Sequence, residues 1–130
     1  MPRRRLVVLA CLLALTACLN PCRNTATQEV PAPSGNLHAV LFTRSCGAMT
    51  SRAGVGVSLL PRGERQVRHS DTGNIYLNDN RRSDGAKAPT DVQVAWQSDT
   101  VLVIRHHADA HVVFAAHKLG PVTVSYETLP

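Results

Sequence analysis

The sequence predicts an all-β domain of about seven strands, folded as a single small antiparallel sandwich or open roll. Three observations carry that expectation. Apolar and polar residues alternate over short runs, the period of a half-buried strand. The runs are rich in Val, Ile, Leu and Thr and stop on Gly, Pro, Asn, Asp or Ser, residues that turn the chain. No segment repeats its apolar residues every 3.6 positions for long enough to bury a helix face.

Taken in chain order, Leu37 to Thr43 is the first strand, and Gly54 to Leu60 the second, closed by Pro61, which has no N–H for a ladder. Gly54-Val55-Gly56 lacks the remainder of a dinucleotide or phosphate-loop signature. It marks a close backbone approach or a bulge instead. Arg62 to Pro89 is polar and turn-rich, so it forms exposed loops around one short strand, Asn74 to Leu77. Val92 to Gln97 alternates clearly, and Val101 to His106 is a nearly continuous apolar run, hence a central strand. His111 to Ala116 and Val122 to Tyr126 complete the set. Ser98-Asp99 is a tight-hairpin signal, and Asp109 sits between two further strands, so the C-terminal third is expected to be an antiparallel meander. Trp96 and Phe114 are expected in the core.

The N-terminus carries an address. Arg3, Arg4 and Arg5 precede an uncharged apolar run, Leu6 to Ala17. That run is too short for a membrane-spanning helix, which needs about 20 residues. It fits the apolar core of a secretory signal, of roughly 7–15 residues. Leu15-Thr16-Ala17-Cys18 resembles the lipobox of bacterial lipoprotein signals. The resemblance implies a signal peptide over 1–17, acyl chains on Cys18, and a mature chain that begins there. With Leu19 rather than Asp after the anchor, the periplasmic face of the outer membrane is the expected address if the host is Gram-negative.

Beyond the signal, 113 of the 130 residues remain, enough for one domain. Residues 18–35, with three prolines and no apolar period, are expected to be a tether, and 36–130 the β-domain. Three of the fourteen Lys and Arg residues leave with the signal, so eleven face nine Asp and Glu and the net charge falls from +5 to +2. With few aromatics and no basic run beyond Arg81-Arg82, nucleic acid is excluded as a partner. Of four cysteines, Cys11 leaves and Cys18 carries lipid, so Cys22 and Cys46 remain as a disulfide pair in an oxidising compartment. The alternative, Cys46 as a nucleophile, has no neighbouring base to lower its pKa.

A wider resemblance rests on Val40-Leu41-Phe42-Thr43-Arg44-Ser45-Cys46-Gly47-Ala48-Met49-Thr50, Val57-Ser58-Leu59-Leu60-Pro61, Gly73-Asn74-Ile75-Tyr76 and Val94-Ala95-Trp96-Gln97-Ser98-Asp99. This series is similar to a family of small bacterial membrane-associated proteins and lipoproteins with a Cys-Gly-Ala-x-Thr motif and no assigned activity. It covers most of residues 28–127. Family members read Ser-Pro-Asp-Gly before the first strand and Asp-Cys-Gly-Ala-Thr-Thr after it. Pro33-Ser34-Gly35-Asn36 and Ser45-Cys46-Gly47-Ala48-Met49-Thr50 stand in those places, so two acidic residues of the pattern are missing. The resemblance supplies no catalytic residues. A Pro-x-Gly turn entering a strand, and Trp96-Gln97-Ser98-Asp99, also look like β-propeller punctuation. A propeller needs at least about four blades of roughly 40 residues, which excludes a closed one.

Histidine is the unusual enrichment: His38, His69, His106, His107, His111 and His117. In a hairpin turning at Asp109, His107, Asp109, His111 and His117 would share one region and could hold Zn or Cu. A metal site needs three or four convergent ligands. The competing expectation is half-exposed strand and turn residues. Ser58, His69 and Asp71 supply the residue types of a hydrolase without its Gly-x-Ser-x-Gly elbow. The expected function is therefore non-enzymatic and cofactor-free: a lipid-anchored structural, adaptor or interaction module, with the membrane and an envelope protein as partners. The alternative is a periplasmic small-ligand or metal-binding protein.

Overall fold

The computed structural model describes residues 22–47, 52–64, 67–69 and 71–130. The signal over 1–17, Cys18, and Ala48, Met49 and Thr50 of the Cys-Gly-Ala-x-Thr motif lie outside the described residues. The fold is an all-β sandwich of two sheets, neither closed into a barrel. Nine strands are described: β1 (Cys22–Pro31), β2 (Leu37–Cys46), β3 (Arg52–Pro61), β4 (Tyr76–Asp79), β5 (Val92–Ser98), β6 (Val101–His106), β7 (His111–Ala115), β8 (Lys118–Leu119) and β9 (Val122–Thr128). One sheet has the order β1-β2-β3-β4-β7 and the other β5-β6-β9-β8.

The core fills the space between the sheets. Ala39, Leu41, Val57, Leu59, Ile75 and Tyr76 meet Leu102, Ile104, Val122 and Val124, with Trp96 packed partly buried against them. The Trp96 indole N–H donates to the Val30 carbonyl at 2.9 Å, which ties the two sheets at their edges. Two strands are buried on both faces, β2 from His38 to Phe42 and β6 from Leu102 to Ile104. The continuous apolar run that marked Val101 to His106 as central is explained by its place between β5 and β9. On β2 the outward residue Phe42 lies over Gly56, where any Cβ would stand 2.1 Å from the ring. The chain before β4 is fastened over this region. Arg44 Nη1 donates to the His69 and Asp71 carbonyls, and the Asn24 side-chain amide donates to those of Arg68 and Asp71.

Two expectations are corrected here. The stretch 18–35 is not simply a tether, because ten of its residues form β1, an edge strand paired with β2 from Cys22↔Cys46 to Pro31↔His38. Its side chains are mostly exposed, so no alternation marks it; backbone bonds and the Cys22–Cys46 disulfide hold it. The two sulfurs lie 2.11 Å apart. Closing a loop of this length removes about 3–4 kcal/mol of unfolded-chain entropy.

The C-terminal third is also not a meander. β5 and β6 do form the hairpin expected at Ser98-Asp99. After β6, however, the turn over 107–110 carries the chain to the other sheet, where β7 pairs with β4. β9 then returns to lie parallel to β6. A sheet-switching turn uses the same Asp and Ala residues as a hairpin turn, so local chemistry does not separate them. Among the described residues no helix is long and apolar enough to cross a membrane.

Candidate functional site

β4 and β7 build the most distinctive surface. Their register runs Tyr76↔Ala115, Leu77↔Phe114, Asn78↔Val112 and Asp79↔His111, with a bulge that leaves Val113 as the extra residue. A bulge bends the strand and re-aims its side chains. Here Val112, Val113 and Phe114 are 37%, 49% and 44% exposed. The expectation that Phe114 belongs to the core is therefore corrected. β7 is also the last strand of its sheet, so one of its edges has no strand partner among the described residues. His111-Val112-Val113-Phe114-Ala115 has no Lys, Glu or Pro, the residues that usually guard an edge.

On the face of this sheet, reaching from β2 to Val113 of β7, lies a cleft of about 150 Å³ lined by Gly54, Leu77 and Val113 together with Arg44, Arg52 and Arg81. Gly54 permits the close packing of β3 on β4, since a Cβ there would stand 2.0 Å from the Asn78 carbonyl oxygen. This is the close approach foreseen for Gly54-Val55-Gly56. Asn78 is fully buried and fully bonded. Its Oδ1 accepts the Val55 N–H at 2.9 Å, and its amide donates to Tyr76 Oη and the Thr90 carbonyl, each at 3.2 Å.

Asp79 ends β4 between the Arg81 guanidinium and the His111 imidazole. Arg81 Nε donates to its Oδ2 at 2.7 Å, and His111 Nδ1 donates to its Oδ1 at 2.6 Å. Burial pushes the Asp79 carboxyl upward, but the Arg81 backbone N–H, the Arg81 guanidinium and His111 together hold it below the usual range.

The histidines expected as alternative metal ligands are not gathered. His107 Nδ1 accepts the Asp109 N–H at 3.2 Å, His111 is bound to Asp79, and His117 stands edge-on to Tyr126. Among the described residues no three His, Cys, Asp or Glu side chains converge to hold a metal. The physical reason is the sheet switch: β6 and β7 are not hairpin partners, so His107 and His111 do not face each other across a ladder. His106 stacks on Tyr76 with ring centroids 5.6 Å apart. Burial, and then the neighbouring Tyr76, push the Tyr126 hydroxyl up to about 12. That hydroxyl donates to the Ala116 carbonyl at 2.6 Å.

Ser58, His69 and Asp71 serve separate backbone groups. Ser58 Oγ accepts the Asn74 N–H, His69 Nδ1 the Asn24 N–H, and Asp71 Oδ2 the Arg68 N–H. Cys46 is bonded to Cys22, and Cys18 lies outside the described residues. The sequence reading missed Arg52 and the exposure of Val112 and Val113. The signal was present, since Val112-Val113-Phe114 breaks period-two alternation, as a bulge does. No family model, curated protein or solved structure matches the chain.

Proposed function

We propose that this protein is a non-enzymatic, lipid-anchored module of the cell envelope, held on a membrane through Cys18 and binding an extended segment of an envelope protein along β7. The open edge of β7 carries this reading. Among the described residues it has no strand partner on one side, and it stands beside three exposed apolar side chains, the two elements of recognition by strand addition. Main-chain bonds would give affinity, and the cleft beside Val113 would take one apolar side chain of the segment. The lipobox-like Leu15-Thr16-Ala17-Cys18 and the Cys22–Cys46 bridge fit an oxidising envelope compartment.

The test is site-specific photo-crosslinking of the full chain in its native membranes. A probe at Val113 is expected to capture one discrete envelope protein, while a probe at exposed Lys118 does not. The double substitution Val112→Pro and Phe114→Lys should reduce that capture at least tenfold. Equal capture from both probe positions, or capture unaffected by the double substitution, contradicts the reading.

A further inference from the structure

The end of the sandwich nearest Cys18 is cationic. β1 starts at Cys22, which pairs with Cys46, and Cys46 pairs in turn with Arg52. Three residues separate Cys18 from Cys22, so the two Cα atoms are at most about 14 Å apart. Arg52 also lines an open basin of about 420 Å³ together with Arg81, Arg82 and Lys87. Arg44 lies on the adjoining cleft. With Arg23, next to Cys22 on β1, six cations thus share this end of the five-stranded sheet. The carboxylates that pair with them are Asp79, held by Arg81, and Asp84, held by Arg82 at 3.0 Å. Among the described residues Arg52 and Lys87 make no ion pair and are exposed.

We infer that this basic end is a docking surface for the anionic headgroups of the bilayer in which Cys18 is anchored. The inference rests on the proposed acylation of Cys18. Charge complementarity and proximity support it: an anchor within about 14 Å of Cys22 tethers the end of the sheet that carries the basin to the bilayer, whose charged surface acts over roughly 8–10 Å at ordinary salt. Each Lys or Arg near an anionic surface strengthens binding by about fivefold. Docking would fix the orientation of the domain, with the strands rising from the membrane and the Pro31 and Leu37 end pointing away from it. Docking at that end would also place β7 as a rising edge, because its first residue, His111, lies beside Asp79 at the basic end.

The chain contains an internal control, since its two lysines fall at different places. Lys87 lines the basin, while Lys118 pairs with Thr123 at the far end of the other sheet. The experiment is amine labelling of the acylated full chain in phosphatidylcholine vesicles with and without 30% phosphatidylglycerol, about the anionic content needed for a strong surface potential. The ratio of Lys87 to Lys118 labelling is expected to fall at least about fivefold on the anionic vesicles. It should recover in about 1 M salt, where screening is within roughly 3 Å, and in the Arg52→Glu and Arg82→Glu double variant. An unchanged ratio, with the protein still retained on both vesicles, overturns the docking inference alone. Equal protection of Lys87 by dissolved inorganic phosphate also overturns it, since the basin would then bind free anions. Loss of the protein from phosphatidylcholine vesicles overturns the anchor, and this inference with it.

Discussion

Gly54→Val is expected to lower the free energy of unfolding by about 3 kcal/mol or more, at the upper end for overpacked positions. The new Cβ would lie 2.0 Å from the Asn78 carbonyl oxygen and 3.2 Å from the Asp79 Cα. Both obstacles are backbone, so no rotamer change relieves the clash. β4 would have to move away from β3 and take Asn78 with it. That motion would break the bond by which Asn78 Oδ1 accepts the Val55 N–H across β3 and β4, and strain the one from its amide to the Thr90 carbonyl. Each buried polar group left unpaired costs about 1–3 kcal/mol. Urea denaturation reads the effect directly. Gly85→Ala is the comparison: its glycine has a φ of 78° but open space around it, so only backbone strain of about 1 kcal/mol is expected. If Gly54→Val unfolds within about 0.5 kcal/mol of the parent, as ordinary surface substitutions do, the close contact between β3 and β4 is not what holds that edge.

Cys18→Ala is expected to move the protein from the membrane to the soluble fraction almost completely. A buried methylene contributes about 0.8 kcal/mol, and two acyl chains together contribute well over 10 kcal/mol. No helix among the described residues offers a second means of crossing the bilayer. The basic end adds only a salt-sensitive attraction, so it would not retain the variant at high ionic strength. Fractionation in about 0.5 M salt isolates the anchor from that weaker term. Retention of Cys18→Ala in the pellet under these conditions would show that something other than acylation holds the chain.

Much of the fold was legible in the sequence, because strands with one buried face must alternate. Leu37 to Thr43, Gly54 to Leu60 and Val92 to Gln97 all fall inside observed strands, and Val101 to His106 coincides with β6. The strand foreseen over Asn74 to Leu77 is real but starts later, at Tyr76. β1 escaped because an edge strand whose side chains mostly face water has no apolar period to detect. β8, at two residues, is too short to leave a pattern.

The pairing of strands was less legible than their existence. Nothing local at His107-Ala108-Asp109-Ala110 distinguishes a return to β6 from a passage to the opposite sheet. The histidine cluster depended on that choice, and Phe114, expected in the core, stands 44% exposed on the strand that the turn delivers to the other sheet. The disulfide needed only cysteine arithmetic and a compartment, and register places its two residues directly opposite each other. The basic end combines Arg52 with Arg81, Arg82 and Lys87, roughly thirty residues away in sequence, and only the pairing of β3 with β4 brings them together.

The most direct test of the account is the intact mass of the full-length gene product purified from membranes, with and without reductant, in the presence of a thiol label. The expected mass begins at Cys18 and carries acyl chains, with two labelled thiols appearing only after reduction, from Cys22 and Cys46. An unacylated mass, or a mass that still includes residues 1–17, would contradict the anchored module.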